Sequence, residues 1–512
     1  MYRAYSEERY YEAFKRVRNK LRKLNASQVL IGLLMRLQSQ QQGDIDALRT
    51  QPPWMLFLLL KWTILYGDFS NRETLTDGHL DHLVNLVHAV GNSLPLPNEY
   101  PSLFMFMRGM AYQQFWHQTP PGHGRFSRQA ILFRGLDPSH RFRRWFKQTT
   151  AIELEDWFDL SFMLLVKFLD NQSQYITEDF FQPVRHRNAN YDIPTFLKSI
   201  SKSPSELHKY LSGLEEQRKR DSSEFLEQTP LVRYPLINLG ERHYRYTMPV
   251  LMRSLEYFVY DTLREHDPQA FMSLFGPMFE KYVAKGLRYL GCAFQGEQDI
   301  QSRIGQQKAV DFLVHEEDYN VLIDAKGVEM GHGGMTSRRP EVISGEAKAS
   351  VIKGIAQATE TARALGLCDR ERNFLIVVTF KDLYLGTGKD FYDYVVKERV
   401  DRALGTDPGS APIPLEHMYF ISIDEFDALM ECAKRNNVSV ASILRRAVEA
   451  DKSPQTKCFV LWQHLASQFR DVRFPAYLES EFREIANRAI AAVSGNQAGT
   501  TSARSSAKPE TL

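Results

Sequence analysis

Cysteine is scarce in this chain: Cys292, Cys368, Cys432 and Cys458 are the only four in 512 residues. They lie far apart, with no C-x-x-C pair, which excludes a zinc ribbon and a disulfide framework and fits the reducing cytoplasm. Neither charge is in excess: 64 Lys and Arg against 62 Asp and Glu leave +2, so any surface for a polyanion must come from local clustering. Long apolar runs are also missing. The most apolar stretch, Pro52 to Tyr66, carries Lys61 inside it. It falls short of the roughly 20 residues that span a bilayer and reads as a buried helix. The opening residues, MYRAYSEERYYEAFKRVRNKLRKL, are charged throughout and hold no apolar signal region. What is present, 43% hydrophobic and 25% charged residues, is the composition of a globular protein.

Between Ala309 and Gly327 the chain reads AVDFLV-HEEDYN-VLIDAKG. Two alternating runs flank a polar turn, Glu316 to Asn320, which predicts a β-hairpin. Pairing about Glu317–Asp318 sets Val310 against Ala325, Phe312 against Ile323 and Val314 against Val321, an apolar face. The same register sets Asp311 opposite Asp324, with Cβ atoms roughly 5 Å apart, and Lys326 on the same side. Facing carboxylates repel unless a cation lies between them, so Asp311 and Asp324 read as ligands of a hard divalent ion, Mg²⁺ first, with Mn²⁺ as a substitute. Lys326 beside them could orient a water or neutralise charge building on a phosphate. A lone D-x-K occurs by chance in many chains, where it sits solvated on an exposed hairpin, so the neighbours decide.

Upstream, Gly276 to Gly291 predicts a helix with Pro277 in the first turn, an apolar stripe of Phe279, Val283, Leu287 and Leu290, and Glu280 beside that stripe. CAFQGEQDI predicts a strand before the hairpin. After a Gly-rich loop (Gly327 to Gly345), a helix from Glu346 to Leu365 is expected to bury Val351, Ile355, Ala358, Ala362 and Leu365, with Lys353, Gln357 and Thr361 flanking. FLIVVTF (Phe374 to Phe380) is all apolar, as for a strand covered on both faces, and MYFISIDEF (Met418 to Phe426) is a strand running into a helix cap at Asp424.

This order, a helix with Glu, a strand, an Asp strand, a D-x-K strand, a helix with Gln and a buried strand, resembles the core of the PD-(D/E)xK nuclease superfamily. The resemblance covers Gly276 to Phe426, under a third of the chain. It implies an α/β, restriction-endonuclease-like core with a mixed central sheet flanked by helices. Its active-site pattern falls on Glu280, Asp311, Asp324 and Lys326, and Gln357 resembles the helix glutamine of the branch related to the RecB nuclease domain. Val310 stands where the family often has proline, and Thr361 where that branch carries tyrosine.

Around this core the chain reads as helical, giving a helical N-terminal region (1–270), the nuclease-like core (271–426), a helical C-terminal appendix (427–493) and a disordered tail (494–512). Glu153 to Leu169 is one clear helix, and Ser205 to Glu227 reads as an exposed, charged one. From Gly122 to Lys147, Arg125, Arg128, Arg134, Arg141, Arg143, Arg144 and Lys147 alternate with Phe126, Phe133, Phe142, Trp145 and Phe146. Such a segment could grip phosphates and stack on bases, or form a helix pair with aromatics inside and arginines solvated. His79, His82 and His88 lack a carboxylate or cysteine partner at ligand spacing and read as surface histidines.

The resemblance thus implies a Mg²⁺-dependent nuclease acting on nucleic acid, DNA more than RNA. Asp311, Asp324 and Glu280 would be the metal ligands, Lys326 and Gln357 part of the catalytic set, and Lys353 with Arg125, Arg128, Arg141, Arg143 and Arg144 the nucleic-acid contacts. Cores fused to large accessory regions in this superfamily commonly serve restriction, repair or defence against foreign DNA, including viral DNA. No membrane partner is expected, and a homo-oligomer or a protein partner through the helical regions stays open. The alternative is a catalytically inert nucleic-acid-binding or regulatory protein that kept the fold.

Overall fold

Strand patterning with period two dominates only a small part of this chain, and the computed structural model is mostly helical with two small mixed sheets. It describes residues 2–40, 45–71, 73–118, 122–169, 173–185, 191–216, 221–305 and 307–494. The minor sheet uses β1 (Tyr175–Ile176), β2 (Ser201–Lys202), β3 (Leu236–Leu239) and β4 (Arg242–Arg245) in the order β1-β4-β3-β2. The major sheet uses β5 (Phe294–Gly296), β6 (Phe312–Glu316), β7 (Tyr319–Lys326), β8 (Asn373–Thr379) and β9 (Met418–Ser422) in chain order. β5, β6 and β7 pair antiparallel, whereas β7–β8 and β8–β9 are parallel.

The hairpin register is the expected one: Phe312 faces Ile323 and Val314 faces Val321. Its turn is tighter than Glu316 to Asn320, because both of those residues pair and only Glu317 and Asp318 are left to reverse the chain, with Glu317 at φ 53°. Both faces of the sheet are covered. Phe312, Val314, Val321, Ile323, Ala325, Phe374, Ile376 and Val378 enter one core, and Leu313, Leu322, Leu375 and Val377 the other. Val310 corrects the apolar-face expectation. It precedes the strand, its N–H donates to Thr361 Oγ1 at 3.2 Å, and it packs in the second core.

Three helix expectations shift. The Glu280 helix starts at Pro268, capped by Asp267, and runs to Leu290, so Pro277 is interior. A proline inside a helix removes a hydrogen bond. The row Phe271, Phe275 and Phe279, with successive ring centroids 5.1 and 5.9 Å apart, packs through this turn and holds the helix together. The expected loop from Gly327 to Gly345 contains the short helix His332–Thr336 and the start of Pro340–Glu346, and a π-helical turn, Lys348–Ile352, leads into the helix Lys353–Ala364. The charged helix expected over Ser205 to Glu227 is Pro204–Glu216, with Leu207 and Leu211 buried, so it is not a free-standing exposed helix.

The C-terminal helices are not an appendix. Phe426 and Leu429 of Ile423–Asn436, with Ile443 and Leu444 of Val440–Asp451, fill the first core together with Phe126, Trp157 and Tyr260 from the N-terminal half. The hydrophobic cores are continuous across positions 270 and 427. The helix Ala476–Ser494 takes in the first residue of the expected tail, and 495–512 lie outside the described residues. Among the described residues no helix is long and apolar enough to cross a membrane.

Candidate active site

The parallel strand β7 ends in Asp324, Ala325 and Lys326, and alternation puts Asp324 on the face toward the helix Lys353–Ala364. That helix comes close because Gly354 has no side chain: a Cβ there would lie 2.8 Å from Asp324 Oδ2 and 2.9 Å from Val377 Cγ2. Asp324 is fully buried as a result. On the opposite face Gly327 has the same use, since a Cβ there would meet the Phe275 ring at 2.7 Å, and its absence lets the Glu280 helix cross the end of β7.

Asp311 sits at the bend before β6, where the hairpin register continues toward Asp324. Its Oδ2 accepts from the Ala325 N–H at 2.6 Å. Burial first, then the Asp324 charge beside it, pushes the Asp311 carboxyl up to about 8, so the pair resists carrying two negative charges without a cation. Lys326 Nζ lies 2.7 Å from Asp324 Oδ1 and 2.6 Å from Oδ2. The Oδ2 contact is an ion pair without hydrogen-bond geometry, which leaves that buried oxygen unsatisfied. Lys326 also donates to Gln357 Oε1 at 3.2 Å, and Gln357 Nε2 donates to Ala309 O at 2.9 Å. Gln357 thereby ties the ammonium to the start of the hairpin. Thr361 continues the brace, donating to Gln357 O at 2.7 Å.

Glu280 is half-buried and shares the field of this group. Burial, then the exposed Glu297, raises its carboxyl, and Lys326 and Lys353 oppose that rise. Among the described residues no set of three His, Cys, Asp or Glu side chains converges closely enough to hold a metal. The carboxylates available as a close pair are Asp311 and Asp324, with Glu280 standing off. Lys353 and Gln357, four apart on one helix, differ in burial: Lys353 is exposed, and Gln357 is buried.

The arginine segment divides. Arg128 is 2% exposed and bonds Asp427 Oδ2 through Nε at 2.8 Å and Asp424 Oδ1 through Nη1 at 2.6 Å. Arg125 pairs with Asp424 at 2.5 Å and Glu256 at 3.4 Å. Burial would raise Asp424, but the two guanidiniums outweigh it and hold that carboxyl down at about 2. These arginines are withdrawn from phosphates because folding gives them buried carboxylates. Arg143 is engaged by Glu155 at 2.6 Å, and Phe126, Phe133, Phe142 and Phe146 are core residues, which removes the stacking surface. Arg141, over the Trp145 ring at 4.9 Å, and Arg144 remain at the surface.

Sequence reasoning missed Gly354 and Asp427 and took Asp424 for a helix cap, whereas Ser422 caps the helix Ile423–Asn436 and Asp424 lies in its first turn. A glycine in an amphipathic helix and a capping-type acid carry no local sign of a partner that lies about 30 or 300 positions away, which only packing supplies. Comparison with models of known protein families, with curated proteins and with solved structures finds no match for this chain.

Proposed function

We propose that this protein is a metal-dependent nuclease built on a restriction-endonuclease-like core. The observation that carries the reading is the meeting of Asp311, Asp324, Lys326 and Gln357 at the end of β7, where an antiparallel hairpin passes into a parallel sheet. Asp324 Oδ2, which has the Lys326 ammonium beside it but no hydrogen bond, and the raised Asp311 fit a divalent cation held by two carboxylates, with waters or substrate in its other positions. Mg²⁺ or Mn²⁺, when bound there, would polarise a phosphoryl oxygen and lower the pKa of a water. Lys326, fixed by Gln357, would counter the negative charge that builds on the phosphate during attack. Glu280, which shares the field of this group, would be the third carboxylate and the exposed Lys353 a phosphate contact. DNA is the favoured substrate, with restriction, repair or defence as the setting and the cytoplasm as the compartment.

A second reading, an inert nucleic-acid-binding protein, draws on the Lys326–Asp324 ion pair, which occupies one side of the metal position. One experiment separates the two. Purified full chain is incubated with single- and double-stranded DNA and RNA in Mg²⁺, Mn²⁺ or EDTA, alongside Asp324→Ala. Cleavage by wild type in Mg²⁺ or Mn²⁺, lowered several orders of magnitude by Asp324→Ala or EDTA, supports the nuclease. Cleavage that survives both defeats the assignment, and binding without cleavage selects the inert reading.

A further inference from the structure

Just after β8 the chain turns through Lys381, Asp382, Leu383 and Tyr384. Lys381, Asp382 and Tyr384 wall a cavity of about 60 Å³ together with Trp116, Arg253 and Tyr257. It lies beyond the carboxyl end of a parallel strand, where open α/β sheets receive ligands. Among the described residues that line it there is no Asp311, Asp324, Lys326 or Gln357, so it is distinct from the candidate active site. Tyr384 stands at φ 48°, a left-handed conformation rare for so bulky a residue. The Tyr112 hydroxyl fixes this turn, 2.9 Å from Leu383 O and 3.2 Å from Asp382 O. Backbone strain of this kind gathers at binding sites, and here it sets the place of Asp382.

Three polar groups on these walls lack a partner among the described residues. Arg253 is half-buried over the Tyr257 ring at 4.4 Å, yet its guanidinium has no hydrogen bond or ion pair. Asp382 is half-buried, and its carboxylate likewise has neither. The Trp116 indole N–H is buried and unsatisfied, in a residue only 8% exposed. Arg253 and Asp382 line one cavity and feel each other's charge without reaching ion-pair contact. The next charges in their fields are committed: Arg125 is bound to Asp424 and Glu256. Lys381 pairs with Asp261 and Glu329 at 2.5 Å each. Opposite charges held apart at this depth call for something between them. An anion would meet Arg253 and Trp116 but be repelled by Asp382, and a cation would suit Asp382 alone. A zwitterion satisfies all three groups. The space holds about four to six waters, the bulk of a molecule with about five or six non-hydrogen atoms.

We propose that this cavity binds a small free α-amino acid. Its carboxylate accepts from the Arg253 guanidinium and the Trp116 N–H, and its ammonium donates to the Asp382 carboxylate beside the Tyr384 ring. Stacking on Tyr257 holds Arg253 ready, and the size of the cavity limits the ligand's side chain to hydrogen, methyl or hydroxymethyl. A peptide terminus carries only one of the two charges, so the ligand is the free amino acid. The proposal does not depend on nuclease activity.

The test is titration calorimetry on the full chain with glycine, L-alanine and L-serine, and with acetate, methylammonium and γ-aminobutyrate as controls. At least one of the three amino acids should bind one-to-one and at least tenfold tighter than any control. Acetate and methylammonium each meet one charge, and the charges of γ-aminobutyrate are too far apart. Asp382→Asn should weaken that amino acid at least tenfold while tightening acetate. Arg253→Gln should weaken it as much while tightening methylammonium. If Arg253→Gln fails to fold by circular dichroism, Asp382→Asn, at an accessible position, carries the test through its opposite effects on amino acid and acetate. Absence of binding by all three amino acids, any control bound as tightly as they are, or affinity unchanged in the folded variants overturns the proposal.

Discussion

Replacing Asp311 by Asn should stabilise the metal-free protein, although the residue lies at the centre of the candidate active site. Asn keeps the shape and can still accept from the Ala325 N–H, which Asp311 Oδ2 meets at 2.6 Å. It removes the charge facing the fully buried Asp324. In the folded chain the Asp311 carboxyl is lifted from its ordinary 3.8 to about 8, by burial first and Asp324 second. At about 1.36 kcal/mol per unit this sets a ceiling of about 6 kcal/mol. Asp311 is only partly enclosed, so solvent screening and local opening should reduce the observed gain to about 2 kcal/mol. The sign follows from linkage. Folded Asp311 holds its proton more tightly than unfolded Asp311, so its contribution is full below about pH 4 and is lost as pH rises through about 8. Urea denaturation in EDTA at pH 5, 7 and 8.5 should show wild type losing stability along that series, with a flatter profile for Asp311→Asn. Saturating Mg²⁺ should reverse the order, since metal at 100 times its dissociation constant adds about 2.7 kcal/mol to a protein that binds it only when folded. Equal pH slopes for the two proteins in EDTA, or a variant less stable at pH 8.5, would refute the account of the carboxylate pair.

Lys326→Ala should lower kcat roughly 10²-fold or more while nucleic-acid affinity changes only a few-fold, because its charge matters most in the transition state; single-turnover cleavage with a binding titration checks this. Arg128→Ala strands the buried Asp427 without a cation and leaves Asp424 with Arg125 alone, and should cost about 3–5 kcal/mol, read by chemical denaturation. Arg141→Ala with Arg144→Ala should leave stability unchanged; if these two grip phosphates, the salt dependence of binding falls by roughly 0.7–0.9 logarithmic units for each phosphate no longer neutralised, and an unaltered slope makes them a solvated face. Gly354→Ala forces a methyl within 2.8 Å of Asp324 Oδ2, so cleavage should fall while circular dichroism stays native.

The hairpin was legible from residues alone. Alternation in AVDFLV and VLIDAK fixes which side chains share a face, and a one-residue slip would bury the wrong set, so Phe312–Ile323 and Val314–Val321 pair as expected. The wholly apolar FLIVVTF run announced a strand covered on both faces, and Asn373–Thr379 is buried throughout. The proximity of Asp311, Asp324 and Lys326 follows from the same local rule, and the helix spacing brought Gln357 into consideration. Tertiary packing decided the rest. It determined that Gln357 is buried and Lys353 exposed, that Glu280 stands off the carboxylate pair, and that a 23-residue helix runs through Pro277. It also turned Arg125 and Arg128 from candidate phosphate contacts into buried ion pairs with Asp424 and Asp427, about 300 positions away. Periodicity reports which face of an element is apolar. Which neighbour covers that face, and which charge finds a partner inside, depends on contacts between segments distant in sequence, and no local pattern encodes them.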